Sequence, residues 1–526
     1  MSISYEIPVS KPVAEVVRLQ LPASEASALH LPLWAQVSIL VLWSALLFLY
    51  GIHQGDLYRT EGLRAIIGKE MHRTGDWLVP RLYGEPILTK PPMFYWAIAA
   101  TGTLFGEVTT WSSRLPAALA GMFAVLIVYF TIKRYSDATT AWITALALPC
   151  TMMWLEKASS SEIDTMLVMW VLAAWACFLR IMDIYSGLRT QDSAPSTKHS
   201  GLFFWWLAAL LCVAAGVLTK WTGFLFFYVM VIPMLAWHRQ LWRLFHWHHL
   251  LAALIGAILV WCWLSVVVYE LGWSNVINML WKEGAPRVLH GQSASQHLLL
   301  ETLIHPFKVL GIALPWSALA LIGLWRKHQE PTDSTKEPTG LSRRFFEQSL
   351  WCWAVCGTLM MTLFPDHNIR QSFSLVPAWT LLGILTLVRL GQTLPQRIQA
   401  RWLMGTMLVW FLIKVIYVEA IIPARFAHRP DLASQANIMH QFVPASATLY
   451  LSRVKDECLM FNYGRAVQRI TSWDHLPTSG DYWCVLTESE YAMFPLKIEQ
   501  EQAILDAQGE KLVLCRCRQS SQALLR

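Results

Sequence analysis

Uncharged, strongly apolar stretches recur along this chain at 26–55, 115–132, 138–155, 165–179, 199–219, 221–238, 244–269, 309–325, 348–365 and 371–388. Most approach or exceed the roughly 18 residues that predict a membrane-crossing helix. One more candidate, 403–422, carries Lys414 and Glu419 near its far end. Hydrocarbon offers the backbone no hydrogen-bond partner, so these runs predict helices rather than strands. The pattern therefore predicts an α-helical polytopic membrane protein with about eleven transmembrane helices over 32–424.

Three segments break this rhythm. Two are loops, 56–113 and 271–305, too long to be mere connections. The third is the tail, 425–526, where charge returns to soluble levels. Its pattern predicts a helix over 431–442 and short strands at 447–452, 482–487 and 511–516, a small α/β domain. In the first loop, 61–71 puts Leu63, Ile66, Ile67 and Met71 on one helical face and turns Arg64, Lys69 and Glu70 away. That is the pattern of a helix lying in the membrane interface. Residues 92–105, aromatic and bracketed by Pro91-Pro92 and Gly106, read the same way. No internal repeat is seen.

Composition agrees: 55 % hydrophobic and 15 % charged, against about 25 % charged in an average soluble domain. This excludes a cytosolic enzyme, a disordered chain and a disulfide-rich secreted module. With a cytoplasmic N-terminal segment 1–31 and no cleavable signal, seventeen Lys and Arg fall on predicted inside segments and six on short outside connections. That asymmetry follows the positive-inside rule and places the tail outside, so the net charge of +7 reports topology and not nucleic acid. Six of the ten cysteines lie in or beside spans. Cys458, Cys484, Cys515 and Cys517 lie in the tail, where an oxidising compartment would permit a disulfide whose pairing the sequence does not fix.

The outer segments carry a family resemblance. The stretch 62–96 (GLRAIIGKEM…LTKPPMFYW) is similar to the first periplasmic loop of the polyprenyl-phosphate-dependent glycosyltransferases, the group of the protein O-mannosyltransferases and aminoarabinose transferases. SRLPAAL at 113–119, EIDTML at 162–167, GVLTKWTGF at 216–224, WKEGAPR at 281–287 and ALPWS at 313–317 follow in the same order. The resemblance implies a C-type glycosyltransferase fold and inverting transfer from a polyprenyl-phospho-sugar to a lipid, glycan or protein acceptor. It also implies a bacterial inner-membrane location with the site on the periplasmic side. A lipid-linked sugar transporter or flippase, and a catalytically inactive relative, are the alternatives.

Inverting transfer needs a carboxylate to take the acceptor's proton. The family's Asp-Glu pair at the start of the first interfacial helix reads Thr60-Glu61 here. Glu61 could serve as base, Asp56 could reach in from upstream, or the activity could be altered. Glu61 could equally be a first-turn carboxylate, favoured at a helix N-terminus by about 0.3–1 kcal/mol. Asp164 matches the second acidic position, with Glu162 as the competing cap. The charge released on the lipid phosphate needs cations. Lys90, where the family uses a lysine, and Arg287 are the candidates, with Lys220 the more ambiguous. The segment 367–373 (HNIRQSF) departs from the Lys-Leu-Pro-x-Tyr segment of several relatives, yet His367 and Arg370 would still face outward as donor-phosphate contacts. Simple headgroup contact is the plainer role. Some relatives have a metal-suited Glu before the Lys90 position and a His after Glu283. Thr89 and Gly284 stand there instead, so that site is not reproduced. His290, His297 and His305 lie in the same loop, and no cofactor is required, although a divalent cation stays compatible. The run 246–249 (HWHH) reads as an interfacial belt.

Overall fold

The computed structural model describes residues 31–187, 195–289, 295–329, 341–364, 367–391, 396–470, 476, 480–494 and 497–519. Each of the eleven predicted runs contains helix. Among the described residues six helices are long and apolar enough to cross a membrane, and a seventh span arises if the pair Leu300–Ile312 and Trp316–Trp325, bent by 104°, counts as one. The runs at 26–55, 138–155 and 221–238 hold shorter apolar helices, Leu33–Leu49, Ala138–Ala147 and Gly223–Trp237. At 1.5 Å per residue these fall short of about 30 Å of hydrocarbon. The chain is a multi-pass membrane protein.

The first loop folds into two helices, Thr60–Thr74 and Met93–Phe105, joined by a small hairpin of strands β1 (Arg81–Leu82) and β2 (Glu85–Pro86). Both residues of its turn take positive φ, Tyr83 at 56° and Gly84 at 79°, as a two-residue hairpin turn matched to strand twist requires. The Glu70 carboxylate accepts from their backbone N–H groups at 3.1 and 2.9 Å.

Here the structure corrects one expectation. Thr60–Thr74 does not lie with one face free, because Glu61, Arg64 and Gly68 are buried along with Ile66, Ile67 and Met71. One side packs on Met93–Phe105, where a Cβ on Gly68 would come within 2.4 Å of Ile98. The other meets the tail helix Glu457–Tyr463, where a Cβ on Gly62 would stand 2.7 Å from the Cys458 sulfur and 2.9 Å from its backbone nitrogen. Periodicity identified the helix. It could not show that a second domain covers the polar side.

The tail forms a five-stranded sheet in the order β4-β3-β5-β7-β6, with β3 (Leu449–Leu451), β4 (Val467–Arg469), β5 (Gly480–Thr487), β6 (Lys497–Leu505) and β7 (Lys511–Gln519). β3 runs parallel to β4 and β5, while β7 is antiparallel to β5 and β6. The predicted helix appears as Leu432–Phe442, capped by Asp431. Strands β4 and β6 and the helix Glu457–Tyr463 are additions to the sequence reading. Cys515 and Cys517 share a face, with Cys484 directly across the ladder from Cys515. All ten cysteines are free thiols.

Candidate active site

The helix Thr110–Tyr135 starts with a reciprocal cap between Thr109 and Ser112, which fixes its first turn and the direction of Arg114. Arg114 reaches into the loop before Thr60–Thr74. Its Nε and Nη2 donate to the two Glu61 oxygens at 3.0 and 3.1 Å. Its Nη groups also donate to the carbonyl oxygens of Ile52, Gln54 and Asp56 at 3.0, 2.8 and 3.0 Å. Glu61 accepts two further bonds, from Ser161 N at 2.7 Å and Tyr58 N at 2.9 Å. A carboxylate has about four acceptor positions, and here every one is occupied. Glu61 and Arg114 tie the 52–58 loop to the turn before the helix Ile163–Gly187.

A second pairing lies beside it. Thr60, standing where the family's Asp would be, donates its hydroxyl to Glu162 Oε1 at 2.6 Å. Arg370 Nη1 donates to the same oxygen at 3.0 Å and to Thr60 Oγ1 at 3.0 Å. Arg64 faces the other Glu162 oxygen at 3.5 Å. Expected to turn away from the apolar face, Arg64 is instead the buried counter-ion of Glu162. A carboxylate at position 60 would collide electrostatically with Glu162.

Asp164, in the first turn of Ile163–Gly187, accepts from Lys220 Nζ at 2.9 Å, and both are buried. Lys220 sits in a hairpin between helices whose closeness depends on glycine. A Cβ on Gly223 would lie 2.4 Å from the Gly216 carbonyl carbon and oxygen. The spacing GVLTKWTGF therefore has a physical reason, since only that turn presents the lysine to Asp164. Trp221 Nε1 donates to the Leu88 carbonyl at 3.2 Å, which brings the segment carrying Lys90 against the Lys220 hairpin. Lys90 Nζ donates to the Thr89 carbonyl at 3.0 Å. Arg287 belongs to the helix Trp273–Leu289, in a part whose side chains lie outside the described residues.

Between the first loop, the turn 157–162 and the last apolar helix lies a cavity of 630 Å³. Its charged lining comprises six cations (Arg59, Arg114, Lys157, Arg370, Lys414 and Arg425) and four carboxylates (Asp56, Glu61, Glu156 and Glu162). Asp164, Lys220 and Lys90 do not line it. Glu61 and Glu162 are ion-paired, and Glu156 meets Lys157 at 3.1 Å. Among the described residues Asp56 forms no ion pair of this kind. Burial pushes its carboxyl above the usual range, the nearby Asp431 adds to the rise, and Arg114 opposes it. That rise moves the Asp56 carboxylate toward base strength.

His367 turns away from this cavity. Its Nε2 lies 3.0 Å from the Thr362 carbonyl and 3.3 Å from the Thr302 hydroxyl. Arg370 does line the cavity, but as the partner of Glu162. Among the described residues no group of three His, Cys, Asp or Glu is placed to hold a metal ion. His290 and the side chain of His297 lie outside the described residues, and His305 bonds Thr362 and Ser372 at 3.3 Å each. Arg114, Lys157 and Arg425 were not singled out from sequence as site residues, and Lys414 was noted only as a charge near the end of the last apolar run. Only Arg114 carried a signal, inside SRLPAAL.

A family model described as dolichyl-phosphate-mannose-protein mannosyltransferase matches residues 65–276, a stretch that includes Arg114, Glu162, Asp164 and Lys220. An undecaprenyl phosphate-alpha-4-amino-4-deoxy-L-arabinose arabinosyl transferase from Shewanella sediminis is 28 % identical over 54 % of this chain and 49 % of that protein. One of the same name from Erwinia tasmaniensis is 26 % identical over 80 % of this chain and 71 % of its own length. The crystal structure of ArnT from Cupriavidus metallidurans bound to undecaprenyl phosphate superposes with a TM-score of 0.67, at 18 % identity, over 92 % of this chain and 98 % of that one. The fold is the C-type glycosyltransferase fold. In sequence the chain resembles the polyprenyl-phosphate-dependent glycosyltransferases of the mannosyltransferase and aminoarabinose transferase type, and it spans about half the length of most curated relatives it matches. Of the charged groups at the site, Arg114, Glu162, Asp164 and Lys220 lie in the segments whose motifs carry the resemblance.

Proposed function

We propose that this chain is an inverting glycosyltransferase that moves a sugar from a polyprenyl-phosphate donor to a lipid, glycan or protein acceptor. It would act at the periplasmic face of a bacterial inner membrane, with the N-terminus cytoplasmic and the tail domain periplasmic. The observation that carries this reading is the division of labour among the carboxylates. Glu61, Glu162 and Asp164 each hold a buried cation, and Asp56 alone is left half-buried in the cavity with a raised affinity for a proton.

In this reading Asp56 takes the proton of the acceptor hydroxyl as that oxygen bonds to the anomeric carbon. The sugar–phosphate bond breaks on the opposite side, and its electron pair leaves with the lipid phosphate. Lys220, held by Asp164, and Lys90 lie on adjoining segments outside the cavity, so the cations that meet the developing charge beside Asp56 are the cavity-lining Arg59 and Arg425. The names of the relatives make undecaprenyl phosphate-4-amino-4-deoxy-L-arabinose the first donor to try. Purified protein in lipid nanodiscs, given radiolabelled donor and a membrane-lipid extract, should transfer label to acceptor. Asp56→Asn should lower that transfer at least a hundredfold with donor binding retained, and unchanged transfer would refute Asp56 as base. Thr60, in place of an aspartate, favours one other reading, an inactive relative. A wild-type protein that binds donor and never transfers it would establish that reading.

A further inference from the structure

The tail sheet is apolar on both faces. Successive strand residues point to opposite sides, so Val485 on β5 and Leu514 on β7 join the core shared with the helices Leu432–Phe442 and Glu457–Tyr463. The residues between them face the other way, into a separate small core. That core holds Ile470, Leu476 and Tyr482 together with three cysteines, Cys484 on β5 and Cys515 and Cys517 on β7. All three cysteines are fully buried. The Cys515 and Cys517 sulfurs stand 3.6 Å apart, and the Cys484 thiol is hydrogen-bonded to both. A single buried thiol packs as a small hydrophobe. Three in contact across two strands also form a place where thiol–disulfide chemistry can occur.

The ladder register decides which pair can close. Cys484 and Cys515 are directly opposed, and opposed residues of antiparallel strands have Cα atoms about 4.5–5.5 Å apart. A disulfide spans roughly 4.4–6.8 Å between Cα atoms, so this pair fits. Cys484 and Cys517 are diagonal, because Cys517 opposes Tyr482, and diagonal neighbours lie about 7–8 Å apart. Cys515 and Cys517 are two positions along one strand, about 6.8 Å apart with parallel side chains. Their sulfurs touch, but their Cβ atoms stay well beyond the roughly 3.5–4.5 Å that a disulfide requires. Cys458, the fourth tail cysteine, belongs to the other core, where its thiol donates to the Arg59 carbonyl at 3.8 Å. Hydrogen bonds from Cys484 and Cys517 hold the Cys515 thiol below its ordinary pKa, and the thiolate is the nucleophile in disulfide exchange.

We propose that the tail domain carries an oxidation site, in which Cys484 and Cys515 form a cross-strand disulfide and Cys517 stays a thiol beside it. The oxidant is a disulfide-bearing thiol oxidase or a small disulfide such as oxidised glutathione. The Cys515 thiolate attacks one sulfur of the oxidant, giving a mixed disulfide and releasing one oxidant thiolate. The Cys484 thiolate then attacks the Cys515 sulfur and releases the second. Two cysteine thiols are oxidised to one disulfide, the oxidant's disulfide is reduced to two thiols, and the two cysteine protons end on those thiols. The bond ties the β6–β7 hairpin covalently to β5. In the cell this rests on the periplasmic placement of the tail, since that compartment is oxidising.

The test maps thiols. The full chain is taken from bacterial membranes by acid quenching, alkylated with N-ethylmaleimide under denaturing conditions and digested with trypsin, which cuts at Arg516 between the two β7 cysteines. Mass spectrometry should find the peptide 512–516 linked to 470–497, with Cys458 and Cys517 alkylated. Cys517→Ser should keep that link and Cys515→Ser should abolish it, with Cys515→Ala serving if the serine variant does not fold. Reductant should speed limited proteolysis of the β6–β7 hairpin at least tenfold in the wild type and leave the rate in Cys515→Ser unchanged. A link to Cys517 or Cys458 in the wild type overturns the proposal. So does a wild type in which all four tail thiols are alkylated both from membranes and after the purified chain is incubated with oxidised glutathione. Thiols that are free from membranes but link as Cys484–Cys515 in oxidised glutathione count against the periplasmic tail and leave the pairing standing.

Discussion

Replacing Glu61 by glutamine separates a base from a clamp. The carboxylate accepts four bonds, two on each oxygen, from Arg114 Nε, Arg114 Nη2, Ser161 N and Tyr58 N. Glutamine has one acceptor oxygen and one NH2 group, so either orientation points its donors at two groups that also donate. The charge of Arg114 would then be balanced only by backbone carbonyls. Breaking a buried pair from one side costs about 3–5 kcal/mol, a large part of the roughly 5–15 kcal/mol that holds a typical domain folded. Glu61→Gln should therefore lower the thermal unfolding midpoint of the purified protein and expose the 52–58 loop to protease. Transfer should fall in step with that loss. The measurements are intrinsic-fluorescence melting in nanodiscs and limited proteolysis on the same preparation. A Glu61→Gln protein with the wild-type midpoint and proteolysis pattern, but transfer down more than a hundredfold, would refute the clamp and restore Glu61 as the base.

Thr60→Asp, which restores the family's residue, should reduce both stability and transfer, because like charges about 4 Å apart repel by about 4 kcal/mol at an effective dielectric of 20. Adding Glu162→Gln should recover part of the loss, as a double-mutant cycle would show. The pH profile of transfer should fall on its acid side above the ordinary aspartate value of 3.8, since burial raises Asp56 and the base works only when deprotonated. The same shift means that Asp56 opposes folding when charged, so through this group acid silences transfer while adding to stability. Gly62→Ala places a methyl against the Cys458 sulfur and backbone, and should loosen the tail domain from Thr60–Thr74. Faster amide exchange in Glu457–Tyr463, at an unchanged fold of the membrane helices, is the expected readout.

The sequence by itself determined the solvent of this protein and the places where chemistry gathers. Long uncharged runs can be satisfied only as helices in lipid, and that logic needs no tertiary information. The motifs around Glu61, Asp164 and Lys220 were legible because charges in an apolar chain are few, and those on the outer segments are fewer still. Tertiary structure decided what each charge does. Arg64 looked like a solvent-facing residue by periodicity, yet it is buried against Glu162, because a second helix and the tail domain cover the side that an isolated helix would leave open. Glu61 and Asp56 were rival candidates only five residues apart. What separates them is Arg114, more than fifty positions away, which saturates one carboxylate and leaves the other in the cavity. Lys414 read as a charge near the end of a span, and only the packing of the last apolar helix against Ser159 made it a buried cation facing the same space. Local pattern reports on the chain's nearest neighbours and on water or lipid. Which carboxylate meets which cation is set by contacts hundreds of residues apart, and those exist only in the fold.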